Sequence, residues 1–168
     1  AEKTDTISTS GSNRNVSHEL NLFAEDSWRL APQWSLNAGF NASLFNTDAK
    51  TFMRFDPRLA MRWQMSRTLA AKLSYTMMTQ YVHRITNSFL DLPTDYWVST
   101  TAKLEPMRAW QLTAGLYAEP SSHLSLSVEA YYKQTNHMLQ YASWAGIEPP
   151  ADHWDENVMD GRGKAYGI

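Results

Sequence analysis

The sequence predicts an all-β chain and, within that class, a segment of an antiparallel transmembrane β-barrel. Three observations carry this reading. Apolar and polar side chains alternate with a period of two through several stretches of about 10 to 13 residues. Short polar turns take turns with long connections along the chain. The chain is polar on average, with a mean hydropathy of −0.48, yet it carries seven Trp, eight Tyr and six Phe in 168 residues. That combination fits a sheet that is apolar on one face only.

The first stretch starts at Ser17. His18, Leu20, Leu22, Ala24, Asp26, Trp28 and Leu30 share one face, and Glu19, Asn21, Phe23, Glu25, Ser27 and Arg29 share the other. After Ala31-Pro32-Gln33 the pattern resumes with Trp34, Leu36, Ala38, Phe40, Ala42 and Leu44, which predicts a hairpin. Pro57, Leu59, Met61, Trp63 and Met65 then alternate with Asp56, Arg58, Ala60, Arg62 and Gln64. A helix of 3.6 residues per turn cannot keep that set on one side, so this is a strand. Pro57 is expected near its start, where a missing N–H costs least.

A turn at Ser66-Arg67 leads to a fourth strand, with Leu69, Ala71, Leu73, Tyr75 and Met77 on its apolar face. Two more are expected over 109–119 (Trp110, Leu112, Ala114, Leu116, Ala118) and 124–134 (Leu124, Leu126, Val128, Ala130, Tyr132), joined by Pro120-Ser121-Ser122-His123. These lengths exceed the ~5–6 residues usual in globular sheets and match the ~9–11 that cross a tilted bilayer. The expected connections are short at 31–33, 66–67 and 120–123 and long at 46–53, 81–107 and 135–159. Residues 1–16 form a further loop, expected to be external.

Tight turns on one rim and large loops on the other is the arrangement of outer-membrane barrels. Trp28, Trp34 and Trp63 lie on the apolar parity beside short turns, as an interfacial girdle requires, and Tyr75 and Tyr132 suit the opposite girdle. Asp26 stands against the pattern. A carboxylate on the lipid-facing parity needs an interfacial position or a local bulge. Soluble β-sandwiches and lipocalin-like barrels also alternate, so the pattern alone leaves them open.

Composition removes several functions. A formal charge of −2 and a pI near 6.2 offer nothing to attract nucleic acid. The absence of cysteine excludes disulfides, thiol catalysis and cysteine zinc sites. No apolar run is long enough for a transmembrane helix, and no signal peptide is visible. Nucleophile elbow, HExxH and P-loop motifs are missing, so an enzyme is not expected and no cofactor is implied.

Several segments together resemble the barrel of TonB-dependent receptors, in particular those of the Bacteroidetes. They are Phe55-Asp56-Pro57-Arg58-Leu59, Ala70-Ala71-Lys72-Leu73-Ser74-Tyr75, Leu92-Pro93-Thr94-Asp95-Tyr96-Trp97-Val98, Leu104-Glu105-Pro106, Trp110 to Leu116, Ser127 to Lys133, and Gly161-Arg162-Gly163-Lys164-Ala165-Tyr166-Gly167. The resemblance runs from about Glu19 to Ile168, and each segment falls where a strand or loop was already expected. It implies a 22-stranded barrel in the cell outer membrane, in contact with its lipid, plugged by a separate domain and energised by the TonB complex. A small-molecule nutrient of the siderophore, haem, cobalamin or glycan class would bind at the external loops and be imported. About seven strands fit into 1–168, which is then part of a single barrel domain without its plug. Such a fragment is expected to associate through its unpaired edges. Two other readings stay open: an outer-membrane barrel with a structural or adhesive role and no energised transport, and a soluble β-sheet binding protein.

The aromatic residues of the long connections are the candidate ligand contacts: Tyr81, Tyr96, Trp97, Tyr141, Trp144 and Trp154. Their rings suit stacking on a nutrient, and they equally suit packing of the loops on one another. His83, His137 and His153 lie in loops of the same rim, where ligation competes with the commoner solvated histidine. Asp152-His153-Trp154-Asp155-Glu156 is an acidic loop with the same two readings. Asp56, Arg58 and Arg62 sit on the polar strand face, to line a substrate path or to form a charge ladder toward a plug. The sequons at Asn15 and Asn41 carry no weight in a bacterial chain.

Overall fold

The computed structural model describes residues 16–47, 49–85, 96–141 and 158–168. The described residues form strands and turns, with no helix: β1 (His18–Ala31), β2 (Trp34–Asn46), β3 (Thr51–Gln64), β4 (Leu69–Gln80), β5 (Val82–Ile85), β6 (Tyr96–Ser99), β7 (Met107–Ser121), β8 (Leu124–Tyr141) and β9 (Val158–Gly167). Seven of them make one sheet in the order β1-β2-β3-β4-β7-β8-β9. All its neighbours are antiparallel. The seven expected strands are therefore present as a meander, and β5 and β6 form a separate hairpin inserted between β4 and β7.

Register follows from the alternation, because a slip of one residue would turn a whole strand over. Trp28 pairs with Leu36, Leu36 with Met61, Met61 with Leu73, Leu73 with Ala114 and Ala114 with Ala130. One residue along, Ser27, Asn37, Ala60, Ser74, Thr113 and Tyr131 run across the opposite face to Gly167. One face is thus mainly apolar and the other mainly polar over β1 to β4, β7 and β8, whereas on β9 the apolar parity carries Arg162, Lys164 and Tyr166. Among the described residues nothing covers the apolar face. Leu20, Leu22 and Val128 on it are 69%, 66% and 61% exposed.

The tryptophans expected beside the short turns take the apolar parity, and two of them are neighbours. Trp34 and Trp63 are cross-strand partners with rings stacked at 5.1 Å, a contact that contributes about 0.5–1.5 kcal/mol beyond area. Toward the other rim, Trp110 lies 6.4 Å from Tyr75 and 5.3 Å from Tyr132, centroid to centroid. Asp26 pairs with Ala38 on the apolar parity, and no bulge reverses the register there. Its carboxylate accepts the Ser27 amide at 2.7 Å, two residues from Trp28.

Three expectations about connections change. Strands β2 and β3 pair out to Asn46 and Thr51, so the connection expected at 46–53 shrinks to 47–50. Thr47 closes it: its amide donates to the Lys50 carbonyl at 2.9 Å and its hydroxyl accepts the Lys50 amide at 3.1 Å. The connection expected at 81–107 contains the β5–β6 hairpin. The one expected at 135–159 is cut from both sides, because β8 runs on to Tyr141 and β9 starts at Val158. A bulge at His137 (φ 59°) lets β8 continue. The expected external loop 1–16 lies outside the described residues apart from Val16.

Pro57 is the other correction: it sits inside β3, not at its start. The β2–β3 ladder runs through it unbroken, whereas β3–β4 pairing stops at Arg58 and Thr76. The missing N–H is thus accommodated at the β4 side. Past that point side chains replace the ladder. Thr79 donates to Asp56 at 2.9 Å, and Arg108 donates to the Phe55 carbonyl at 3.1 Å.

Gly39 faces Glu25 across the first ladder, and a Cβ there would meet the Ala24 carbonyl oxygen at 3.0 Å and the Glu25 Cβ at 3.1 Å. Gly161 leaves 3.4 Å to the Met138 carbonyl. Gly39→Val is expected to lower the free energy of unfolding by about 1–3 kcal/mol through overpacking, and Gly161→Ala to change it by less than about 0.5 kcal/mol. Equilibrium urea unfolding of the full-length protein measures both.

Candidate functional site

The described hydrophobic core cluster is Phe45, Phe52 and Tyr81, and it sits on the polar face at the long-connection rim. Phe45 and Phe52 are partners across β2 and β3 and are each 2% exposed. Both fall on the parity of Ser43 and Arg54, so these two rings break the alternation. What covers them is the chain leaving β4. Tyr81 stacks on Phe45 with ring centroids 4.4 Å apart and planes within 2°. Its hydroxyl lies 2.6 Å from the Ser43 hydroxyl, and burial pushes its pKa up.

Tyr81 anchors the hairpin that follows. Its carbonyl accepts the Thr100 amide at 2.7 Å, which ties the two ends of β5–β6 together. Inside, His83 Nε2 is 3.1 Å from the Thr100 hydroxyl, with His83 4% and Thr100 0% exposed. Desolvation lowers the His83 pKa, so the ring is held neutral. On the other side of the hairpin Trp97 is 67% exposed.

A charged group borders the cluster. Lys50, at the end of the tight turn, holds its ammonium 4.5 Å from the Phe52 ring centre, and the Arg54 guanidinium lies 5.8 Å from it. Both cations grip Glu105, with Lys50 Nζ on Oε1 at 2.8 Å and Arg54 Nη2 on Oε2 at 2.5 Å. The Lys50 hydrogen bond is the main reason the Glu105 carboxyl titrates below its ordinary value. These groups remain partly exposed, so each pair contributes at most about 1 kcal/mol. Their effect is to pin the segment entering β7 against the β2–β3 turn.

Below this rim the polar face is wet and charged. A recess of about 380 Å³ is lined by Glu19, Asn21, Phe23, Glu25, Asn41 and Arg58 among others. Farther down, Lys72 lies 4.3 Å from the Tyr117 ring centre, and the Tyr117 hydroxyl donates to Glu129. Asp56, Arg58 and Arg62 all take the polar face, but Asp56 is buried against Thr79 and Arg62 donates to Gln64.

Of the six candidate aromatics, Tyr81 is buried in the cluster and Trp97 presents its ring to the surface. Tyr96 opens β6 opposite Ile85, and Tyr141 ends β8 opposite Val158. Trp144 and Trp154 lie outside the described residues. His83 is inside the hairpin, while His137 pairs with Asp160 at 2.8 Å on β9, so the two serve different contacts. His153 and the acidic loop 152–156 lie outside the described residues. Among the described residues no group of three or more His, Asp or Glu is placed to hold a metal ion. Sequence reasoning passed over Phe45, Phe52, Ser43 and Lys50. The available signal was the pair of Phe residues on the polar parity.

Two outcomes follow from this packing. Tyr81→Phe keeps the stack but leaves the Ser43 hydroxyl, 3% exposed, without its partner. The expected cost is about 1–2 kcal/mol, with faster hydrogen exchange at the Thr100 amide. The neutral His83 sets the sign of a pH effect. The unfolded chain takes its proton near the ordinary value of 6.5, and the folded hairpin only at lower pH. Stability is therefore complete above that value and falls as the pH drops below it. Exchange at Thr100, corrected for its intrinsic rate, should accelerate on acidification below about pH 6.5, and His83→Gln should flatten that dependence.

A family model described as TonB dependent receptor-like, beta-barrel, matches residues 3–168. No match was found among curated proteins or among solved structures. The matched span takes in the whole seven-stranded sheet and the hairpin. Proteins of that family are outer-membrane receptors and transporters of nutrients, not enzymes. The two-faced antiparallel sheet and the match along almost its entire length lead to one assignment: the chain belongs to the TonB-dependent receptor-like β-barrel family.

Proposed function

We propose that these strands are part of the barrel of an outer-membrane receptor, of the kind found in the Bacteroidetes, that captures a scarce nutrient on its external rim and imports it. The observation that carries the reading is the apolar face, which runs over six strands, β1 to β4, β7 and β8, and is uncovered among the described residues. A bilayer core satisfies such a face, and the ladders satisfy its backbone. The polar face, with Glu25, Arg58, Arg62 and Lys72, suits a watered lumen filled by a plug domain. In this reading 1–168 belongs to one barrel domain, and the TonB complex acts on a plug encoded elsewhere in the protein.

Strand length supports the orientation. A tilted strand crosses the apolar core in ~9–11 residues. Ten residues from the short turns lead from Trp34 to Leu44, from Gln64 to Arg54, from Leu69 to Thr79 and from Leu124 to Gln134. The Phe45–Phe52–Tyr81 cluster and the β5–β6 hairpin stand just past that level, where an external ligand arrives first. Trp97 and Tyr96 on β6, with Tyr141 at the end of β8 and Trp144 and Trp154 of the connection after it, are the proposed contacts for a siderophore, haem, cobalamin or glycan. Tyr81 acts behind them by seating the hairpin.

The test is uptake. Cells expressing the full-length protein are offered ferric siderophores, haem, cobalamin and oligosaccharides, with and without functional TonB. Accumulation of one of these that needs both the receptor and TonB is expected, and Trp97→Ala should weaken binding of that ligand about tenfold. A heat-modifiable outer-membrane barrel with no TonB-dependent uptake would instead favour a structural or adhesive role. A monomer stable in plain buffer would overturn the membrane reading altogether.

A further inference from the structure

Between β3 and β4 the sheet is zipped only part of the way toward the long-connection rim. Their ladder ends at Arg58 and Thr76, while β2–β3 pairing runs on to Asn46 and Thr51 and β4–β7 pairing to Gln80 and Met107. Backbone direction explains where it stops. The Gln64 amide donates to the Gln33 carbonyl at 2.7 Å, so even residues of β3 turn their backbone groups toward β2 and odd ones, Pro57 and Phe55 among them, toward β4. On β4 the Thr68 carbonyl accepts the Glu119 amide at 2.8 Å, so even residues face β7, and Met77 and Thr79 face β3. In an unbroken register Pro57 would stand opposite Met77 and Phe55 opposite Thr79. Pro57 has no N–H to give the Met77 carbonyl, and the ladder does not resume beyond it.

Side chains cross the gap instead. Thr79 donates to Asp56 at 2.9 Å, and Arg108 reaches from β7 to the Phe55 carbonyl at 3.1 Å. Nearer the rim Tyr81 stacks on Phe45, and Glu105, ahead of β7, is held by Lys50 and Arg54. The closed arrangement carries a penalty, because Arg108 Nε is buried with no partner among the described residues. We propose that this seam is an expansion joint: β1–β3 and the panel of β4 and β7–β9 part above Arg58 and Thr76 and reclose, so that the mouth widens for a bulky nutrient. Below those residues unbroken ladders from β2 to β8 confine the movement to the outer end. The parting follows from the strands alone, and its use in admitting a nutrient rests on the uptake reading above.

The experiment places spin labels on the full-length receptor in detergent micelles, in a background free of other cysteines. One pair, Leu44→Cys and Gln134→Cys, lies on β2 and β8 near the rim, and the other, Leu36→Cys and Ala130→Cys, lies on one row below the joint. Both pairs join β2 to β8, a separation of roughly 19 Å across the sheet, within reach of pulsed electron paramagnetic resonance. The upper pair is expected to give a short and a long distance and the lower pair a single one. Pro57→Ala restores the N–H and should lower the long-to-short ratio about fivefold, whereas Thr79→Val strands the buried Asp56 carboxylate in the closed form and should raise it about tenfold. One upper distance shared by the wild type and both variants overturns the joint, as does equal splitting of the lower pair. A disulfide between Pro57→Cys and Met77→Cys fastens the seam, and TonB-dependent uptake should fall at least about tenfold on oxidation and return on reduction. Uptake undiminished by that lock overturns the proposed use. A wild type that imports none of the nutrients overturns the uptake reading, and the distances still decide the joint.

Discussion

A strand whose face is turned to apolar surroundings can satisfy its backbone only through its neighbours in the sheet, because no water reaches it and an unpaired amide costs several kcal/mol. The rest of this structure depends on that constraint. It demands continuous antiparallel ladders, and these lock the register so that Leu36, Met61, Leu73, Ala114 and Ala130 share one side. Where the ladders fail, the location is informative. Pairing of β3 with β4 ends at Arg58, one residue from a proline that has no N–H to offer, and Arg108 and Thr79 supply polar contacts beyond it. The bulge at His137 is likewise near the outer end of β8. The register also shifts beside the short turns, between Arg29 and Ala31 and between Ala118 and Ser121, whereas the break at Arg58 and the bulge at His137 lie toward the long-connection rim.

That rim is also where the hydrophobic packing of the described structure concentrates. Over most of the sheet the apolar side chains look outward, and the cluster of Phe45, Phe52 and Tyr81 is the exception. Rings buried on the polar face hold the hairpin down without crossing the sheet, and Lys50, Arg54 and Glu105 add directional contacts that burial cannot provide. The outcome is a hairpin fixed at its base by Tyr81 and Thr100 and presenting Trp97 at its surface. Rigid bases with exposed aromatic tips suit recognition, since little order remains to be imposed when a ligand arrives.

Chemistry on the two sides of the same strands is kept apart by the period of two. On β8, Lys133 and Gln134 are adjacent in sequence yet face opposite environments, and on β7 Arg108 and Trp110 share a face that Gln111 does not. Charge on one face can therefore be tuned without altering the other, which makes the two faces separable by mutation.

Alternation, turn residues and strand length were legible in the sequence because they are local: parity is set by backbone geometry, and a strand of given length either crosses an apolar layer or does not. The seven strands of the sheet, its apolar and polar faces and the stacked Trp34 and Trp63 follow from that. What lay beyond reach depended on partners far along the chain. Strands β2 and β3 extend past Leu44 because Phe45 and Phe52 find each other and then Tyr81, a residue 36 positions after Phe45. Pro57 is tolerated inside a strand only because β4 has ended its pairing there. Tyr81 has the composition of a ligand contact, and only the approach of Ser43 and Phe45 turns it into an anchor. Neighbours in sequence determined which way each side chain points, and tertiary contact decided what each would meet.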